Sequence, residues 1–275
     1  MKDGIARIGG SQALQFNGTV TLNNATREFH ITNGAATTIV GVIDGTADLA
    51  GIGIMKTGPG LLVLTGANLY GNATGTNRFY ESTTDINGGE LRVNNPTGRG
   101  TGGSVVRVNV GGTLSGTGTV GTLNALGGIV APGSAGAGTL KAGDTAFAGG
   151  TFALELSSAA LADQLSVTGT VSLTANTALT LSLIGGYVPT PGDSWTIIGN
   201  DASDAVALGA FRFTSGGNPI QPNTPFVVGG NQYSVNYAGG TGNDVVLSVV
   251  PEPSSTALLG GALGLLGFAR RRRKR

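Results

Sequence analysis

The 275-residue chain has no cysteine, which removes disulfides, thiolate metal sites and thiol nucleophiles together. Charge is scarce: only 11% of residues are charged, against about 25% in ordinary soluble domains. With 40% of residues hydrophobic, the chain is neither a charge-solvated disordered polymer nor a coiled coil, and it has enough apolar matter to bury a core. Aromatics make up 5%, with one Trp, and there is one His. A core built from this composition must rely on small and β-branched side chains.

What the chain has in quantity is glycine: 50 residues, beside 10 prolines. Pairs such as Gly88-Gly89, Gly111-Gly112, Gly127-Gly128 and Gly149-Gly150 punctuate short runs in which apolar and polar residues alternate. Thr19–Leu22, Glu90–Val93, Val106–Val110, Thr170–Leu173 and Leu179–Leu183 all have a period of two, and nothing before the last 25 residues sustains a helical period. Gaps between the glycine pairs are unequal, so any repeat is degenerate and suggests coils rather than identical modules. The economical solution is a β-solenoid, in which each short strand stacks on its counterpart in the next coil over a thin core. At about 20 residues per coil and about 4.8 Å between coils, residues 1–250 are expected to form about 12 coils and a rod near 60 Å. A β-sandwich is the structural rival, above all for residues 144–250, where hairpins would then replace coils.

The formal net charge of +1 hides an asymmetry. Six of the 16 basic residues are Arg270, Arg271, Arg272, Arg273, Lys274 and Arg275, and without the tail residues 1–250 carry ten basic and 14 acidic groups. A weakly acidic body is a poor partner for nucleic acid, and none is expected. The tail reads Pro251-Glu252-Pro253, then an uncharged stretch over 254–269, then the cations. As a helix, 16 residues span about 24 Å, short of the roughly 30 Å hydrocarbon core, a gap that snorkelling arginines can close. Gly260 and Gly264 match the small-residue packing pattern of membrane helices. The cations would stay on the cytoplasmic side and the body on the other.

Pro251, Glu252 and Pro253, a short apolar helix and a terminal basic cluster together resemble the PEP-CTERM sorting signal. The resemblance implies export in a Gram-negative bacterium, anchoring in the inner membrane, and processing near Pro-Glu-Pro by an exosortase, a membrane protease-transpeptidase. Such a chain is expected to start with an export signal, whereas Met1 to Arg7 lead straight into strand-like text, so the expectation is that the true start lies upstream of Met1.

Residues 56–74, beginning Lys56-Thr57-Gly58-Pro59-Gly60 and continuing Leu61-Leu62-Val63-Leu64-Thr65-Gly66, look like the autotransporter-associated β-strand repeat, as does Asn87-Gly88-Gly89-Glu90-Leu91-Arg92-Val93. The repeat is placed at about 51–95 and implies an all-β, right-handed parallel β-helix. Gly75 to Asp85 is longer and more polar than the usual link and reads as a loop. With the tail added, the expected organisation is a β-solenoid body over 1–250 and a sorting tail over 251–275 containing a transmembrane helix.

Few residues invite chemistry. His30 sits alone in Phe29-His30-Ile31 and reads as a solvent-facing strand residue without companion ligands. Asp163, Asp193, Asp201 and Asp204 read as turn residues; a carboxylate pair for glycoside hydrolysis needs a separation that sequence does not give. Gly239 to Leu247 fits the calcium nonapeptide with Asp244 as the acid, but it occurs once, supplies half of a site, and reads as a turn followed by a closing strand. Tyr70, Tyr80, Trp195, Tyr233 and Tyr237 are candidates for stacking on sugars, although such residues more often fill cores. No catalytic turnover and no cofactor are expected. The expected role is that of an exported cell-surface or extracellular-matrix structural or adhesin-like protein, associated with exopolysaccharide or biofilm. The alternative is a solenoid enzyme that degrades polysaccharide.

Overall fold

Alternation of buried and half-buried side chains sets most longer strands of the computed structural model, which describes residues 4–23, 25–45, 51–71, 82–201 and 204–251. The winding begins with β1 (Ile5–Ile8), β2 (Leu14–Phe16) and β3 (Val20–Thr21), followed by β4 (Arg27–Ile31), β5 (Thr37–Ile39) and β6 (Ile43–Asp44). The next turns each contribute two strands: β7 (Ile54–Thr57) with β8 (Leu61–Leu64), β9 (Thr83–Ile86) with β10 (Gly89–Val93), and β11 (Val105–Asn109) with β12 (Gly112–Gly116). Then come β13 (Leu123–Leu126), β14 (Ile129–Pro132) and β15 (Thr139–Ala142), and after them β16 (Thr145–Ala148), β17 (Thr151–Ser158), β18 (Leu161–Ala162) and β19 (Gln164–Val167). The chain closes through β20 (Val171–Ala175), β21 (Thr177–Leu183), β22 (Ser194–Gly199), β23 (Phe213–Ser215), β24 (Asn218–Pro219), β25 (Phe226–Val228), β26 (Asn231–Gly239) and β27 (Asp244–Val249).

The stacking is that of a β-solenoid of about seven turns. One face is an eight-stranded sheet in the order β1-β4-β7-β9-β11-β13-β16-β20, parallel throughout. The second face runs β2-β5-β8-β10-β12-β14-β17-β21 and continues into β23 and β24. The third side starts with β3-β6 and ends with the sheet β15-β19-β22-β27-β26-β25. Seven steps of about 4.8 Å give a rod of about 34 Å, shorter than the expected 60 Å. Two physical causes account for the difference. Corner segments lengthen some turns, so that the register advances 17 residues from Val106 to Leu123 but 30 from Ile54 to Thr84. After Leu183 the chain makes one last coil, with β22 parallel to β19 and β23 parallel to β21, and then turns to hairpins: β22 pairs antiparallel with β27, and β26 with both β25 and β27. Hairpins expected of the rival sandwich are therefore present, added to the end of the solenoid. Part of the segment expected as a loop is also strand, since Thr83, Thr84 and Asp85 belong to β9; residues 72–81 lie outside the described residues.

The core is a column of Leu, Ile and Val stacked coil on coil, including Ile31, Ile54, Leu62, Leu64, Leu91, Val93, Val106, Val108 and Leu114. Glycine is obligatory where coils touch: Gly116 has φ +118°, and a Cβ there would run into the Val93 carbonyl of the preceding coil. Where the third side has no strand, buried asparagines supply its hydrogen bonds. Asn68 Oδ1 accepts from Ile43 N at 2.7 Å while its Nδ2 donates to Gly100 O at 2.6 Å. Asn95 repeats the device one coil on, accepting from Thr119 N at 2.9 Å and donating to Gly98 O at 2.9 Å. At the C-terminal end the scarce aromatics gather: Phe147, Phe152 and Phe213 lie with centroids 5.4 to 5.7 Å apart, and Tyr237 stacks on Phe213 at 6.0 Å. No helix among the described residues is long and apolar enough to cross a membrane. The expected span over 254–269 lies outside them.

Candidate functional site: tail junction and a groove on the second face

Two places merit chemical scrutiny. At the first, β27 delivers the chain to the tail. Val249 N donates to Asp193 O at 2.8 Å and Val250 N to Gln232 O at 3.0 Å, after which Pro251 has no N–H to offer and is exposed. The sheet thus ends at Val249, just before Pro-Glu-Pro.

The second place is an open groove of about 250 Å³ on the outer surface of the second face. Parallel register lines up Arg92, Ser115 and Ala131 on β10, β12 and β14, with Ala153 of β17 next in the column. The two alanines leave a depression between polar ends. On one end Arg92 pairs with Glu90 at 2.8 Å, and Ser115 Oγ also donates to Glu90. At the other stand Glu155, Ser182 beside it in register, and the buried Asp163. The turn carrying Ser134 forms a wall, and Asn94 Nδ2 donates to Ser134 Oγ at 2.9 Å. Asp163 Oδ1 accepts from Gly138 N and Oδ2 from Glu155 N, both at 2.8 Å. Burial pushes its carboxyl up to about 6, against the pull of these amides and with the push of the Glu155 charge.

Residues 249–274 match the family model for the PEP-CTERM protein-sorting motif. This motif is the substrate signal for exosortase, a membrane protein, and it implies an exported chain anchored in the membrane before processing. The match includes Pro251, Glu252, Pro253 and the basic residues 270–274; apart from Pro251, these and Arg275 lie outside the described residues. No curated protein matches the chain.

The other singled-out residues are placed as follows. His30 is half-buried on β4: its Nδ1 lies 2.9 Å from Thr57 Oγ1, which donates to Glu28 Oε1 at 2.6 Å. It is a strand residue tied to the neighbouring coil, less open to solvent than expected. Asp193 is a turn residue: it accepts from Tyr187 OH and from Thr190 N, bonds that hold its carboxyl below the usual range, the Tyr187 bond foremost. Asp201 and Asp204 sit in the segment after β22, where Asn200 Nδ2 donates to Asp204 O at 2.8 Å. Asp163 departs from its expected turn role and is a buried brace between β17 and the turn before β15. Asp244 opens β27 of an antiparallel hairpin, with Oδ1 accepting from Asn200 N at 2.9 Å. No group of three or more His, Cys, Asp or Glu side chains able to hold a metal occurs among the described residues. Tyr70, Trp195, Tyr233 and Tyr237 are all buried, so none presents a ring for stacking; Tyr80 lies outside the described residues.

Sequence reasoning missed one charged group. Lys56 points into the solenoid and is fully buried, its Nζ donating to the carbonyls of Thr57, Gly58 and Gly88 at 3.1, 2.9 and 2.8 Å. Desolvation lowers its pKa to about 8, opposed by the charge of Glu90. Its position was legible: alternation from Ile54 through β7 places residue 56 on the inner face.

Proposed function

We propose that the chain is an exosortase-processed structural protein of the cell surface or extracellular matrix, adhesin-like, associated with exopolysaccharide or biofilm. The observation that carries this reading is the sorting motif starting where β27 ends, so that a rigid rod is joined directly to a removable tail. A solenoid displays polar outer rows while satisfying its backbone internally, a design suited to a passive scaffold. In this reading the body is a right-handed parallel β-helix, as connections between parallel strands nearly always are. Residues 51–95 are its autotransporter-associated repeat, and residues 254–269 form the transmembrane helix until processing. The protein needs no cofactor and performs no turnover. Deleting residues 251–275 in the native host tests the reading: the truncated chain should fail to reach the surface and matrix fractions, and equal recovery there would refute it.

Glu155 and the carboxyl of Asp163 in one groove favour a second reading, a polysaccharide-degrading enzyme. Both Asp163 oxygens are taken by backbone amides, which weighs against it as a proton donor to substrate. Release of reducing sugar or unsaturated ends, abolished by Glu155→Gln, would establish the enzyme instead.

A further inference from the structure

The groove on the second face has features that scaffolding does not require. Its floor, Ala131 and Ala153, is the smallest pair in a column that elsewhere carries Arg92 and Ser115, so a trough runs across successive coils at about 4.8 Å per step. Donors and acceptors stand at both ends. Glu90 is neutralised by Arg92, and Asp163 is spent on Gly138 and Glu155 amides. Glu155 lines the trough half-buried and lies close enough to Asp163 for their charges to interact. The trough is therefore rich in hydroxyl partners, carries excess negative charge and has no aromatic ring in its lining.

We propose that this groove binds a stretch of non-acidic polysaccharide, with rings that are neutral or bear an amino group, laid along the rod axis. Glu155 accepts from the sugar hydroxyl or ammonium groups, Arg92 and Ser115 engage the next ring, and the alanine floor admits the ring between them. The excess of carboxylates excludes uronic acid chains. Without stacking, each contact is weak, and retention in a matrix comes from many rods on one polymer. The inference rests on the polysaccharide-associated reading above.

The test is calorimetric titration of the full-length chain in detergent with three hexasaccharides: β-1,4-glucosamine, cellohexaose and hexagalacturonate. Binding of the amino or neutral chain, weakened about tenfold by Glu155→Gln and abolished by Ala153→Trp, is the expected result. Should Ala153→Trp fail to fold, Ser182→Trp at the exposed rim serves in its place. Binding of none of the three, equal binding of hexagalacturonate, or indifference to a folded tryptophan variant would overturn the proposal. A chain that is processed and surface-located yet binds no sugar would sink the groove alone. One that binds but stays unprocessed in the cytoplasm would sink the surface reading alone.

Discussion

Lys56 and Asp163 are the two residues whose ionisation the fold alters most usefully for experiment. The unfolded chain holds the Lys56 proton up to about 10.5, whereas the folded chain releases it near 8, so between these values the unfolded state binds more protons and stability rises with pH. Thermal unfolding of the wild type measured from pH 8 to 9.5, below tyrosine titration, should show that rise. Lys56→Met should lack it and, by leaving three carbonyls without a donor, lose about 3 kcal/mol. Asp163 behaves in the opposite sense. Its folded value of about 6 lies above the ordinary 3.8, so its contribution is complete below pH 3.8 and is lost as pH rises through 6. Other carboxylates titrate in that window, so the informative quantity is the difference from Asp163→Asn. That variant should remove this component and cost about 1 kcal/mol, because its amide keeps only one of two acceptors. Lys56 was legible from alternation alone. The burial of Asp163 was not, because it depends on β17 and the turn before β15, far apart in sequence, meeting around one carboxylate.

At the scale of elements, the strands were the readable part. Glu90–Val93, Thr170–Leu173 and Leu179–Leu183 fall in or across β10, β20 and β21, because apolar and polar side chains must alternate between a packed interior and water. The addition of antiparallel hairpins to the last parallel coil, formed by β22 and β23, was not readable, since period two is the same in both. What marks the change is the aromatic cluster: Phe147, Phe152, Phe213 and Tyr237 fill the end of the rod where β23 and β26 fold over it. Tyr237 OH accepts from Phe213 N and donates to Ile220 O, both at 3.1 Å. Phe213→Ala should therefore destabilise the fold by about 3 to 5 kcal/mol, measured by urea denaturation. A loss below about 1 kcal/mol would mean that the hairpins merely decorate the solenoid. The groove was invisible for a different reason. Arg92, Ser115, Ala131 and Ala153 become neighbours only through coil register, and unequal steps of 23, 16 and 22 residues conceal that register in the sequence.

For the whole molecule, a rod that satisfies its own backbone is followed in the sequence by a tail that matches a sorting motif. The short rod follows from long corners and from antiparallel hairpins that end the stacking of the second face and the third side. In the proposed function, export, anchoring and release are successive states of one chain, with the cut expected in the tail beyond β27. Intact-mass spectrometry of the protein recovered from native host fractions tests this most directly. Surface or matrix protein should lack the basic cluster ending at Arg275, with its new C-terminus at or beyond Val249, while full-length chain should be confined to the inner membrane. Full-length protein bearing Arg275 in the cytoplasm or at the surface, with no shortened form anywhere, would contradict the account.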